Sequence, residues 1–175
     1  MKITLIRHTR VAVPAGVCYG VTDVDVAPTF EQEATVVRDG LRGLSFDVVY
    51  TSPLQRCWKL ARFCGFPEAV ADERLRELNF GTWEGQRWEA IRDPHLQEWY
   101  DNWLNQRAGG AESFLDHYNR VADFLDELRG QAHRHVCLFT HGGTIRAACI
   151  HVGLFTFNRA FSHEVDYGSR ITITF

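Results

Sequence analysis

Apolar positions along the chain follow two periods. Four short segments, Lys2 to Ile6, Asp47 to Thr51, His135 to Thr140 and Arg170 to Phe175, carry the apolar runs expected of strands. The first three are nearly continuous, as in parallel strands covered on both faces; a half-exposed strand would alternate. Between the strands, apolar residues recur every three to four positions. Phe30, Ala34, Val37 and Leu41 form one helical stripe, and Leu54, Cys57, Ala61 and Cys64 form a second, with Gly65 placed to stop it. Phe114, Tyr118, Val121, Leu125 and Leu128 form a third. Thr29-Phe30-Glu31-Gln32 and Ser52-Pro53-Leu54-Gln55 read as capping boxes, the latter with proline at the first helical position, and Ser113 with Asp116 reads as another. Helices are therefore predicted from Phe30, from Pro53 and from Ser113.

Strand and helix alternate, which predicts an α/β fold: a three-layer α/β/α sandwich around a mostly parallel central sheet. At 175 residues the chain has the size of one domain, so residues 1–175 are read as a single unit. Phe80 to Ala111, richer in tryptophan and turn residues than its surroundings, is read as an insertion within it. The 19 Lys and Arg against 22 Asp and Glu give a net charge of −3, which argues against a nucleic-acid surface built on broad cationic attraction. Five cysteines, an odd number with no Cys-x-x-Cys pair, read as buried thiols in a reducing cytoplasm. The first apolar run is too short, and too soon interrupted by Arg7, for a signal sequence or membrane span, so a cytoplasmic location away from membranes is expected.

Ligands of open α/β sheets bind beyond the carboxyl ends of the strands. Arg7 and His8 follow the first strand. Thr51-Ser52-Pro53 follows the second, with Arg56 in the next helical turn, and His141-Gly142-Gly143-Thr144 follows the third. Arginine presents a planar fork to phosphate oxygens, helix N-termini add oriented N–H groups, and glycine lets the backbone approach an anion. Taken singly, each residue reads as well without a ligand: Arg7 in a surface ion pair, His8 in a turn, Arg56 snorkelling, His141 bonded to backbone. Their convergence at three strand ends points to one shared anion.

Five segments in order carry a wider similarity: Leu5-Ile6-Arg7-His8-Thr9, Thr51-Ser52-Pro53-Leu54-Gln55-Arg56, the stretch Leu75-Arg76-Glu77-Leu78-Asn79-Phe80-Gly81-Thr82-Trp83-Glu84-Gly85, Gly110-Ala111-Glu112-Ser113-Phe114, and Thr140-His141-Gly142-Gly143-Thr144-Ile145-Arg146. Over nearly its whole length the chain resembles the histidine phosphatase superfamily, also called phosphoglycerate mutase-like. The resemblance implies a phosphoglycerate mutase-like fold and a phosphomonoester hydrolase working through a phosphohistidine on His8, with no metal or organic cofactor. It also implies Glu77 as proton donor and Arg7, Arg56, His141 and the Gly142 N–H as phosphate ligands. Thr9 departs from the family, most of whose members have glycine after the histidine, and is read as the trait of a branch. Gly16-Val17-Cys18-Tyr19-Gly20-Val21-Thr22-Asp23 with the Arg-His-Thr start resembles the α-ribazole phosphatases of cobalamin assembly, so the expected partner is a small phosphorylated metabolite, α-ribazole 5′-phosphate.

Imidazole attacks phosphorus only through an unprotonated nitrogen, so His8 is expected to be neutral, its other nitrogen donating to a backbone carbonyl. Glu77 can protonate the leaving alkoxide and then activate water. Outside the Phe-Gly-x-Trp-Glu-Gly string it would read as an ion-pair partner of Arg74 or Arg76. Glu84 is expected to fix its loop, and Glu112 to orient His141 or cap the helix at Ser113. Trp83, Trp88, Trp99, Tyr100 and Trp103 form either a cover that stacks on an aromatic leaving group or packing under a long loop. The rival readings are a broad-specificity phosphatase, a phosphoglycerate mutase and a non-enzymatic phospholigand module. The short chain favours hydrolysis over the mutase, and the presence of nucleophile, phosphate ligands and acid together disfavours the module. A metal phosphoesterase is disfavoured because no His-x-x-x-His pair with a carboxylate appears, and His133-x-His135 falls at a helix-to-strand joint.

Overall fold

In the computed structural model, which describes Met1–Phe175, five strands form one sheet: β1 (Lys2–Arg7), β2 (Val48–Thr51), β3 (Val70–Ala71), β4 (His135–Thr140) and β5 (Arg170–Thr174). Their order is β3-β2-β4-β1-β5, with β3, β2, β4 and β1 parallel and β5 antiparallel at the edge. The helices are α1 (Phe30–Gly40), α2 (Gln55–Phe63), α3 (Leu96–Asp101), α4 (Phe114–Arg129) and α5 (Gly142–His151).

Alternation along the strands splits the interior in two. Ile3 and Leu5 of β1, with Val136 and Leu138 of β4, face α4 and α5 through Val121, Leu125, Leu128 and Ile145. Ile6, Cys137 and Phe139 face α1 and α2 through Ala34, Val37, Leu60 and Ala61. Each buried Leu or Ile contributes roughly 1.5–3 kcal/mol, so the two faces together fix the three layers that the sequence predicts. All five cysteines are buried and unpaired. No helix is long and apolar enough to cross a membrane.

Two of the three capping boxes do not form. Thr29 Oγ1 donates to Glu33 rather than accepting from the first turn of α1. Ser52 Oγ lies 2.8 Å from His141 Nε2, and α2 starts at Gln55, two residues after Pro53. At Thr29 a carboxylate of the helix's own first turn takes the hydroxyl, and at Ser52 a distant histidine lies against it. At Ser113 the reciprocal bonds with Asp116 are present at 3.1 Å each. Gly65 stops α2 as expected, at φ +95°. In the 80–111 segment Trp83 is buried with Cys18, Ile91 and Ala108, and the Trp88 and Trp99 rings stack with centroids 5.9 Å apart.

The strand register sets up the site. Arg7 is level with Thr140, and Thr51 with Phe139, so β1, β2 and β4 end together. His8 N donates to Thr140 O at 3.0 Å and Ser52 N to Phe139 O at 2.9 Å, which brings His8, Ser52 and His141 off the sheet side by side.

Candidate active site

His8 is 2% exposed. Its Nδ1 lies 2.7 Å from the Thr9 carbonyl, which can only accept, so the ring proton is on Nδ1 and Nε2 keeps its lone pair. The non-glycine residue at position 9 thus leaves this tautomer lock intact. Burial, then the charges of Arg56 and Arg7, push the His8 pKa well below its usual 6.5, partly opposed by the bond to Thr9. His141, fully buried with its ring centroid 5.1 Å from that of His8, is pushed down in the same way by burial, Arg56 and His8. In the free protein these effects favour the neutral imidazole at His141.

Arg7 lays its guanidinium 3.9 Å over the Tyr167 ring and donates from Nη1 to Val165 O. Arg56 is wholly buried and donates to the carbonyls of Thr22, at 2.9 Å, and Gly20. Neither meets a carboxylate, and the Nε of each is buried without a partner. Such orphaned donors are costly in a protein interior and suit an anion absent from the chain itself. Gly142 opens α5, so its N–H has no partner within the helix. A Cβ there would lie 3.4 Å from Arg7 Nε, and so this backbone closes against the cation.

Glu77 accepts from Leu78 N at 2.9 Å and from Gly143 N at 3.0 Å. A Cβ at Gly143 would collide with Glu77 Oε1, which explains the second glycine of the pair. Arg7, His8, Glu77 and Arg146 form the polar side of a cavity of about 240 Å³; Phe80, Trp88, Phe114 and Phe161 form much of the rest. Arg56, His141 and Gly142 do not line this cavity; His141 is buried with its ring beside His8, and Arg56 is buried where its charge acts on both. The tryptophans therefore divide their roles. Trp88 is a cavity wall, whereas Trp83 and Trp99 pack beneath the loop, Trp103 packs on Phe114 and Phe161, and Tyr100 is exposed.

Glu84 fixes its loop as expected, accepting from the N–H groups of Val21, Thr22 and Phe80. Glu112 neither touches His141 nor caps α4. It accepts from Asn79 N at 2.9 Å and Arg120 Nε at 2.7 Å, and although burial raises its pKa, the hydrogen bonds and charge of Arg120 help hold it at about 2. Residue-by-residue reading assigned no role to Arg146, although it ends a quoted motif five residues after His141. It also passed over Tyr19 and Tyr167, whose hydroxyls meet at 2.7 Å beside the cavity, because an isolated tyrosine carries no spacing signal.

His8, His117 and His141 all have pKa values below their unfolded ones. As pH falls through about 6.5 the unfolded chain takes up protons that the folded protein does not, so the stability present above that pH is lost below it. The melting temperature is expected to fall from pH 7 to pH 5.5, and His8→Gln to shallow the slope by up to about 1.4 kcal/mol per pH unit. Thermal melts of both proteins across this range check it, and an unchanged slope in His8→Gln contradicts it.

The fold and site define a cavity that sets a lone-pair-bearing histidine beside a carboxylate and two arginines. The chain belongs to the histidine phosphatase superfamily (branch 1), whose sequence model matches residues 3–175. It is 28% identical over 162 residues to the putative phosphoserine phosphatase 2 of Hydrogenobacter thermophilus, covering 87% of this chain and 79% of that protein. Among solved structures, TTHB049 from Thermus thermophilus superposes with a TM-score of 0.78 at 29% identity, over 99% of this chain and 93% of that one. The alpha-ribazole phosphatase from Shigella flexneri shares the fold, with a TM-score of 0.88 at 22% identity over 99% and 90%. The protein is a phosphatase of this superfamily.

Proposed function

We propose that the protein hydrolyses phosphomonoesters through a phosphohistidine on His8, and that its substrate is α-ribazole 5′-phosphate, dephosphorylated in the cytoplasm during assembly of the cobalamin nucleotide loop. The observation that carries the first part is the locked tautomer: Nδ1–H is held by Thr9 O, and the ring with its free Nε2 shares a cavity with Glu77. Nε2 attacks phosphorus in line as the ester P–O bond breaks. The leaving alkoxide takes the proton of Glu77. Charge developing on the phosphoryl oxygens is met by Arg7, Arg56, neutral His141 and the Gly142 N–H. Water then attacks the phosphohistidine, Glu77 takes its proton, and phosphate leaves with His8 restored.

The aromatic wall of Phe80, Trp88, Phe114 and Phe161 supports the second part, because it suits a flat heteroaromatic leaving group such as a benzimidazole riboside. One observation favours another ester. Arg146 lines the same cavity with Nε and Nη2 tied to the carbonyls of Ala160 and His163, a fixed cation that suits a carboxylate-bearing ester such as phosphoserine or a phosphoglycerate. A phosphate-release panel of α-ribazole 5′-phosphate, phosphoserine, phosphoglycerates, sugar phosphates and nucleotides, run with and without EDTA, separates them. The expected result is the highest kcat/KM on α-ribazole 5′-phosphate, unchanged by chelator. Preference for phosphoserine would favour the Arg146 reading, and isomerised phosphoglycerate with little free phosphate would make the protein a mutase.

A further inference from the structure

Glu77 sits in no helix or strand, and loop backbone must find hydrogen-bond partners elsewhere. Four consecutive carbonyls leading into it are each taken by a side chain from another element. Arg74 O accepts from Arg120 Nη1 at 2.7 Å, and Leu75 O from Thr140 Oγ1 at 2.8 Å. Arg76 O accepts from Arg120 Nη1 at 2.8 Å and Thr144 Oγ1 at 2.9 Å, and Glu77 O from Arg120 Nη2 at 2.9 Å. Arg120 Nε is held by Glu112, whose other oxygen also accepts from Asn79 N, two residues beyond Glu77.

Behind Arg120 lies His117, fully buried and outside the phosphate site. Its Nδ1 is 2.8 Å from Arg120 Nη2, which can only donate, so the imidazole proton is on Nε2. Nε2 reaches Thr144 Oγ1 at 3.3 Å, and that hydroxyl donates in turn to Arg76 O. The chain of bonds closes on the Glu77 segment from both α4 and α5. The end of β4 and the start of α5 therefore have two faces: His141 and Gly142 serve the phosphate side, while Thr140, Gly143 and Thr144 hold the Glu77 loop.

We propose that Arg120, oriented by Glu112 and His117, is a positioning residue for Glu77: its planar fork holds the loop where the carboxyl meets the leaving oxygen, and it has no part in phosphate capture. The proposal rests on the reading of Glu77 as the acid. Lysine, a point charge, cannot replace a fork that spans three carbonyls.

The test compares kcat/KM on an alkyl phosphate, whose alkoxide needs a proton, with that on 4-nitrophenyl phosphate, whose anion leaves without one. Because kcat/KM reports only steps up to release of the alcohol, the later water attack does not enter. Glu77→Gln is expected to lose at least about 100-fold on the alkyl ester and little on the aryl ester. Arg120→Lys is expected to show the same selectivity, with a loss of about 10- to 100-fold on the alkyl ester, and Thr144→Val a smaller loss in the same direction. If Glu77→Gln is selective while Arg120→Lys and Thr144→Val lower both esters equally, or neither, the positioning role is overturned and the acid stands. If Glu77→Gln is itself unselective, the acid reading fails first. Should Arg120→Lys not fold, Thr144→Val decides alone.

Discussion

His8→Ala is expected to lower turnover by at least about 10⁴-fold on every substrate, while substrate still binds and the protein still melts cooperatively. The effect is large because no other side chain is placed to take over. His141, 5.1 Å away between ring centroids, has its Nε2 2.8 Å from Ser52 Oγ and Cys57 Sγ 3.5 Å from the same atom. Binding survives because Arg7, Arg56 and the start of α5 are held by β1, α2 and β4, not by the His8 ring. Steady-state rates and ligand titration on the variant check both halves. A residual rate within tenfold of the native one contradicts them.

The second large effect is at Arg56. Its guanidinium is wholly buried, with carbonyls as its only hydrogen-bond partners and Nε without one. A buried charge without a counter-ion is unfavourable by several kcal/mol, which an arriving phosphate dianion offsets. Inorganic phosphate at about 100 times its Kd should therefore stabilise the native protein by about 2.7 kcal/mol, read as a rise in melting temperature. Arg56→Met is expected to abolish that rise and to lower kcat/KM by about 10³-fold, through loss of a buried positive charge that acts on His8 and on the transition-state charge. Equal phosphate stabilisation of the variant would remove Arg56 from the phosphate site.

Four of the five strands and three of the helices were legible because burial imposes a period on them. β4 is apolar throughout its centre, and the stripes of α1, α2 and α4 each face one layer. α5 escaped because it is buried nearly all round, from Ile145 through Ala147, Ala148, Cys149 and Ile150, so no polar face marks its turn. β3 escaped because Val70 and Ala71 are both exposed at the sheet edge. The capping box at Ser52 misled because a local pattern cannot show that His141, 89 residues away, will meet the hydroxyl; at Thr29 the nearby Glu33 carboxylate competes for it within the first turn.

The residues of the site were legible in a different way. Arg7, His8, Arg56 and His141 follow strands, and parallel strands ending in register bring such residues together whatever the loops do. Glu77 has no strand to place it and was found through its motif alone. What holds it could not be read, since Arg120 lies 43 residues further along and looks like any polar residue on the outer face of α4. Arg146 was hidden for a related reason: its part in the cavity depends on the carbonyls of Ala160 and His163, in a segment without a motif.

The most direct test of the phosphohistidine is to locate the transferred group. Glu77→Gln, in which activation of water is slowed, is mixed with 4-nitrophenyl phosphate, quenched in base to preserve the P–N bond, and mapped by peptide mass spectrometry. One phosphoryl group per chain, on His8 at Nε2, is the predicted result. A phosphoryl group on His141 or any other residue, or release of nitrophenol with none retained on the protein, would contradict it.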